Sequence, residues 1–136
     1  MKNAVILLAV VLALALPAGA QCPVETVIVN GHVYNAVPHS KVRVQLLYPK
    51  GKAGEAGQVT VDDGSFRIPL EFITTQNSIL TNLSKRCGRK PQSVEITLME
   101  NDKEADRVTL DFAKDFKMAD LSAYTPRSDL VLKGSR

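Results

Sequence analysis

The chain has no tryptophan, only four phenylalanines and three tyrosines, and just two cysteines and two histidines. So few rings leave no stacking platform of the kind that binds single-stranded nucleic acid or sugars. Its 17 basic residues against 14 acidic ones give a formal net charge of +3, too balanced for a general nucleic-acid binder. His32 and His39 fall on an expected strand and the turn after it, share no defined face, and have no thiol or carboxylate cluster beside them. That pattern excludes an ordinary zinc site. Glu100, Asp102, Glu104 and Asp106 are acidic neighbours, but no glycine is placed for the bend of a calcium loop, so a solvated hairpin tip is expected. No phosphate loop, nucleophile elbow, HExxH pair or paired-carboxylate signal is present. The sequence therefore points away from an enzyme and implies no cofactor and no metal.

What is present begins with the leader. Lys2 precedes an apolar run from Ala4 to Leu16, followed by Pro17 and a small-x-small site, Ala18-Gly19-Ala20. The run is shorter than the roughly 20 residues that span a bilayer, and its layout is that of a secretory signal peptide over 1–20. Leu16 is followed by only a weak break, which leaves a retained anchor as the alternative to cleavage. Acylation of Cys22 would want a small residue before it, and Gln21 stands there. The expectation is a secreted protein with no stable membrane anchor, working as one domain over 21–136. A mature chain of roughly 116 residues is the usual size for one core.

In an oxidising compartment the two cysteines, Cys22 and Cys87, are expected to pair. On the chain-entropy account such a long loop closure stabilises by about 4 kcal/mol.

Apolar residues then recur at period two, the mark of half-buried strands. Val27, Val29 and Val33 flank Gly31, and Val42, Val44 and Leu46 follow. Val59 and Val61 lead through Asp62-Asp63-Gly64 to Phe66, Ile68 and Leu70, which reads as a hairpin. Val94, Ile96 and Leu98 are followed by a polar turn over Asn101 to Asp106, then Val108, Leu110 and Phe112; Leu130 and Leu132 suggest a last strand. Helical spacing occurs twice, at Ile79, Leu80 and Leu83 and at Phe112, Phe116 and Ala119. The expected fold is all-β, an antiparallel β-sandwich of about seven strands with one or two short helices and one disulfide.

The residues most suited to meet a partner are cations on connectors. Lys85, Arg86, Arg89 and Lys90 surround Cys87, and Lys50 and Lys52 flank the start of a glycine-rich stretch from Gly51 to Gly57 that reads as a mobile loop. Asn82-Leu83-Ser84 matches the N-glycosylation sequon, which marks Asn82 for modification given a eukaryotic host and a surface position.

The succession Val29-Asn30-Gly31-His32-Val33, Val42-Arg43-Val44-Gln45-Leu46 and Thr60-Val61-Asp62-Asp63-Gly64-Ser65-Phe66 resembles the opening of transthyretin-like and carboxypeptidase-regulatory-like domains. Cys87 followed by Val94-Glu95-Ile96-Thr97-Leu98 is similar in placing to secreted transthyretin-like proteins of nematodes. These are turn and core residues, so the resemblance implies a fold more than an activity. The hydroxyisourate hydrolases of that fold end in Tyr-Arg-Gly-Ser, whereas this chain ends Leu132-Lys133-Gly134-Ser135-Arg136. In profile the chain also resembles small secreted effectors of plant-pathogenic fungi, some of which inhibit host papain-like cysteine proteases. The leading expectation is a secreted virulence effector that binds and inhibits an extracellular host protein of that kind. A transthyretin-like carrier of a small apolar ligand or lipid, with a cavity lined by Phe66, Phe72 and Phe112, is the alternative. A hydrolase with an unrecognised site comes third.

Overall fold

A computed structural model describes residues 22–73 and 88–136. The expected signal peptide, the helical spacing at Ile79 to Leu83, and Asn82, Lys85, Arg86 and Cys87 lie outside the described residues.

The alternation seen in the sequence becomes two sheets that share one core. The first contains β1 (Val24–Tyr34), β4 (Gly64–Ile73), β7 (Phe116–Asp120), β8 (Ala123–Pro126) and β9 (Val131–Lys133), in the order β4-β1-β8-β7, with β9 also on β1. The second runs β3-β2-β5-β6, from β2 (Ser40–Tyr48), β3 (Lys52–Val61), β5 (Ser93–Glu100) and β6 (Lys103–Asp111). In register, Val27 faces Leu70 and Val29 faces Ile68 across β1 and β4, while Val42 faces Leu98 and Val44 faces Ile96 across β2 and β5. Because side chains alternate across a strand, these residues all point between the sheets and are buried. Each such aliphatic chain contributes about 1.5–3 kcal/mol on leaving water. One end of the core is aromatic: Phe72 and Phe112 meet edge to face at 5.8 Å, and Tyr124 and Phe116 pack on Phe112 at 4.9 and 5.6 Å.

Several expectations need correction. Nine strands are present among the described residues, not about seven, because the C-terminal part is cut into three short ones. The sheets are also not purely antiparallel: β8 and β9 both run parallel to β1, since the chain crosses from β6 to β7 and returns beside β1 in its own direction. The helical spacing after Phe112 yields only one turn, α1 (Phe112–Asp115), where Asp111 accepts a hydrogen bond from the Lys114 amide at 3.0 Å. Phe116 then enters β7 because its ring is wanted in the core, at 3% exposure.

Two turn readings change in the same way. Asp62-Asp63 does not close a hairpin; it carries the chain from β3 in one sheet to β4 in the other. The carboxylates hold this corner against the β1–β2 turn, Asp63 accepting from the Ala36 amide at 2.7 Å and Asp62 from the His39 amide at 3.2 Å. The polar stretch from Asn101 to Asp106 contributes only two turn residues. Asn101 and Asp102 both take positive φ, 48° and 62°, and the rest joins β6. Glycine-rich Gly51–Gly57 is turn and strand rather than mobile loop: Gly51 ends the turn after β2, and Lys52 to Gly57 form the first half of β3, paired to β2.

Glu100 fastens the C-terminus. It is 6% exposed, and its carboxylate accepts from the Val37 amide at 3.3 Å, the Ser135 amide at 3.0 Å and the Ser135 hydroxyl. The Ser135 hydroxyl bond, partly opposed by burial and aided by the backbone donors, holds its pKa below the ordinary 4.5. Glu100 therefore stabilises the fold fully above about pH 4.5, and this contribution is lost as pH falls through its lower folded-state value. Glu100→Gln should lower the melting temperature at pH 7 and flatten its decline as pH falls below about 4.5, as followed by circular dichroism. An unchanged acid limb would show that other carboxylates carry the dependence.

Candidate functional site

At the end of β2 the chain turns through Pro49-Lys50-Gly51, with Lys50 at φ 67° and Gly51 at φ 71°. The left-handed pair is what lets β3 return at once beside β2. Just beyond, Gln45 pairs with Ala56 and Leu47 with Ala53, so Leu46 alone stands opposite Gly54 and Glu55. This is a bulge, which bends a strand and re-aims its side chains. The Gln45 amide holds it by donating to the Gly54 carbonyl at 2.7 Å.

The bulge sets one tyrosine. A side-chain carbon on Gly54 would lie only 2.1 Å from the Tyr48 ring, so the ring can cover this position only because it is glycine. Glu55 then accepts a hydrogen bond from the Tyr48 hydroxyl at 2.8 Å. Burial first, then that bond and the negative charge of Glu55, push the Tyr48 phenol well above its ordinary pKa, so the hydroxyl stays a donor.

The fixed ring is one wall of an open groove of about 570 Å³, completed by Pro49, Lys50, Lys52, Ala53, Glu55, Ile73, Gly88 and Arg89. Ile73 is 48% exposed there, and Gly88 is pressed so closely on it that a side-chain carbon would meet the Ile73 carbonyl at 2.5 Å. Three of the cations expected to meet a partner, Lys50, Lys52 and Arg89, thus reach one groove from two separated segments. Lys90 does not: its ammonium lies over the Tyr124 ring, 5.5 Å from the centroid, beside the aromatic end of the core. Lys85 and Arg86 lie outside the described residues.

Sequence reading missed Tyr48, Glu55 and Ile73. Tyr48 directly before Pro-Lys-Gly was the available signal, but the bulge that fixes it depends on β3 being a strand. The histidines are apart: His32 stacks on Tyr34 with centroids 6.3 Å apart, and His39 sits in the β1–β2 turn at φ 64°. Phe66, Phe72 and Phe112 are all buried, at 5%, 1% and 5% exposure, and the last two pack on one another.

Chemically, the groove offers a tyrosine face and an isoleucine beside three cations, with Glu55 as its one carboxylate and that one already engaged by the Tyr48 hydroxyl. Such a surface suits an extended segment that carries an acidic side chain next to an apolar one.

Gly54→Ala should force the Tyr48 ring off the strand and break its bond to Glu55, at a cost of about 1–3 kcal/mol. The change is readable in the ring resonances of Tyr48. Native ring shifts in the variant would mean that the ring is not held by this contact. Comparison with known proteins found no matching protein family, no matching curated protein and no matching solved structure.

Proposed function

We propose that the chain is a secreted binding module that engages an extracellular protein through the Tyr48 groove. The convergence of Lys50, Lys52 and Arg89 on one tyrosine-walled groove is the observation that carries this reading. These cations have no carboxylate partner within ion-pair distance among the described residues, whose ion pairs are Arg107 with Glu95 and Glu104, and Arg136 with Asp63. They are available to a partner's acidic groups and would steer its approach. The apolar leader over 1–20 supports export, and the small-effector profile makes a host papain-like cysteine protease the partner class to examine first. In that role the module occludes the enzyme by occupying its surface and needs no reactive group of its own.

In this proposal the fold is a transthyretin-like sandwich tied by Cys22 to Cys87. Cys22 stands two residues before Val24, which pairs with Ile73, and Gly88, the residue after Cys87, packs on the Ile73 carbonyl. The chain next to each cysteine thus meets at Ile73, at the end of the first sheet, which supports the pairing. Peptide mapping of the unreduced secreted protein should recover one fragment containing both cysteines. Recovery of two unlinked peptides under the same conditions would remove the disulfide.

The function is tested by capturing partners from extracellular fluid with the tagged protein, identifying them by mass spectrometry, and measuring affinity for the purified partner at two salt concentrations. Replacing Lys50, Lys52 and Arg89 together by serine should weaken binding about tenfold at low salt, mainly through slower association, and should flatten its salt dependence. If both affinity and salt slope survive, the groove is not the contact surface.

A further inference from the structure

On the outer face of the first sheet the ladder beside β1 is interrupted. β8 pairs with Thr26 and Val27, β9 with His32 to Tyr34, and the intervening residues Ile28 to Gly31 have no partner strand on that flank. The chain from Arg127 to Leu130 arches over the gap instead, tied to the Asp115 carbonyl by the Arg127 amide at 2.7 Å and to His32 by the Leu130 carbonyl at 2.9 Å. Beneath the arch is a cleft of about 500 Å³.

Three cations from three elements line it: Arg67 of β4, Lys117 of β7 and Arg127 of the arch. Arg67 is placed by pairing with Asn30 across β1 and β4, and Lys117 by pairing with Thr125 across β7 and β8. Arg127 is anchored by its Nε, which donates to the Phe116 carbonyl at 3.0 Å and leaves the outer nitrogens of the fork for another acceptor. Against them stands one carboxylate, Asp129, and none of the three cations is within ion-pair distance of it or of any other acid among the described residues. Asn30, His32 and Ser65 add further polar side chains to the same cleft.

We infer that this cleft is a second binding site, distinct from the Tyr48 groove, for the phosphate or sulfate group of a small molecule. A carboxylate can be satisfied by a single guanidinium fork, whereas cations approaching from three sides suit a tetrahedral group with oxygens in every direction. The cleft is larger than a bare oxyanion and lies in the range of small-molecule sites, so it has room for the organic part of a monoester. Phe66, Pro126 and Leu130 supply its apolar lining. The reading does not depend on a protein partner.

Four probes test it by titration calorimetry on the purified protein: inorganic phosphate, inorganic sulfate, glucose 6-phosphate and glucose 6-sulfate. Saturable binding is expected, the esters binding more tightly than the inorganic ions, and the preferred ester identifies the source of the group. Arg67→Ser with Lys117→Ser should weaken binding at least about tenfold, since two charge-assisted contacts are lost. Lys117→Glu alone should do as much by placing an acid in the cleft. Arg43→Ser, on the exposed face of the opposite sheet, removes a charge without touching the cleft and should leave affinity within about twofold. All variants change exposed side chains, and their melting curves establish that they fold. The inference is overturned by absence of saturable binding of all four probes up to roughly 20 mM. It is equally overturned if Arg43→Ser weakens binding as much as the double variant, or if the double variant binds normally.

Discussion

Every strand of the first sheet is held, directly or through one neighbour, by β1, and β1 can serve its partners only because of what stands at position 31. β4 takes one flank of β1 along its whole length, while β8 and β9 share the other in parallel. A side-chain carbon at Gly31 would lie 2.5 Å from the Leu130 carbonyl, the group that accepts from the His32 amide. Without that close approach β9 could not join β1. Leu132, fully buried, would then leave the core, and the tail that Ser135 fastens to Glu100 would lose its lead-in. One absent methyl group thus couples the N-terminal strand to the C-terminus, and it also shapes the arch over the cleft beside it.

Much of the fold could be read from the chain because burial acts through period two. Val27, Val29, Val33, Val42, Val44, Val94, Ile96 and Leu98 are all core residues, as their alternation implies. What escaped were the places where pairing partners matter more than pattern. Asp-Gly between two alternating runs has the chemistry of a hairpin whether the runs pair with each other or with different sheets; only the long-range ladders decide between hairpin and corner. Lys52 to Gly57 lacks large apolar side chains, and its strand character comes from β2 supplying a template of backbone groups. Phe112 and Phe116 stand four apart as a helix would place them, yet the core needs both rings at one end, and stacking at 5.6 Å is reached with a single helical turn.

The candidate sites were legible in unequal measure for the same reason. Lys50 and Lys52 bracket a turn, so local sequence suffices to expose them. Joining them to Arg89 takes the register of β1 on β4, which puts Ile73 at the groove, and the packing of Gly88 on its carbonyl. Nothing near Arg67, Lys117 or Arg127 in the sequence links them, because each is one cation in an ordinary polar position of its own strand or loop.

The distribution of charge explains why a chain of modest net charge can still present cationic surfaces. On the second sheet Arg107 is held by Glu95 at 3.0 Å and by Glu104 at 2.7 Å, and at the other end Arg136 is held by Asp63 at 2.7 Å. These are exposed pairs, individually worth no more than about 1 kcal/mol, so their weight in stability is small. Their effect on the field is larger, since each cancels opposite charges within a few ångströms. Other acids are also spoken for, Glu55 by the Tyr48 hydroxyl, Glu100 by Ser135, and Asp62 and Asp63 by the β1–β2 turn, which leaves Asp129 as the one carboxylate facing the three cations of the cleft. Carboxylates in this fold mostly cap backbone or fix a side chain, while cations at the groove and cleft face solvent from several strands at once. Local excess of positive charge there follows from how the acids are used, and it would persist if the overall net charge were zero.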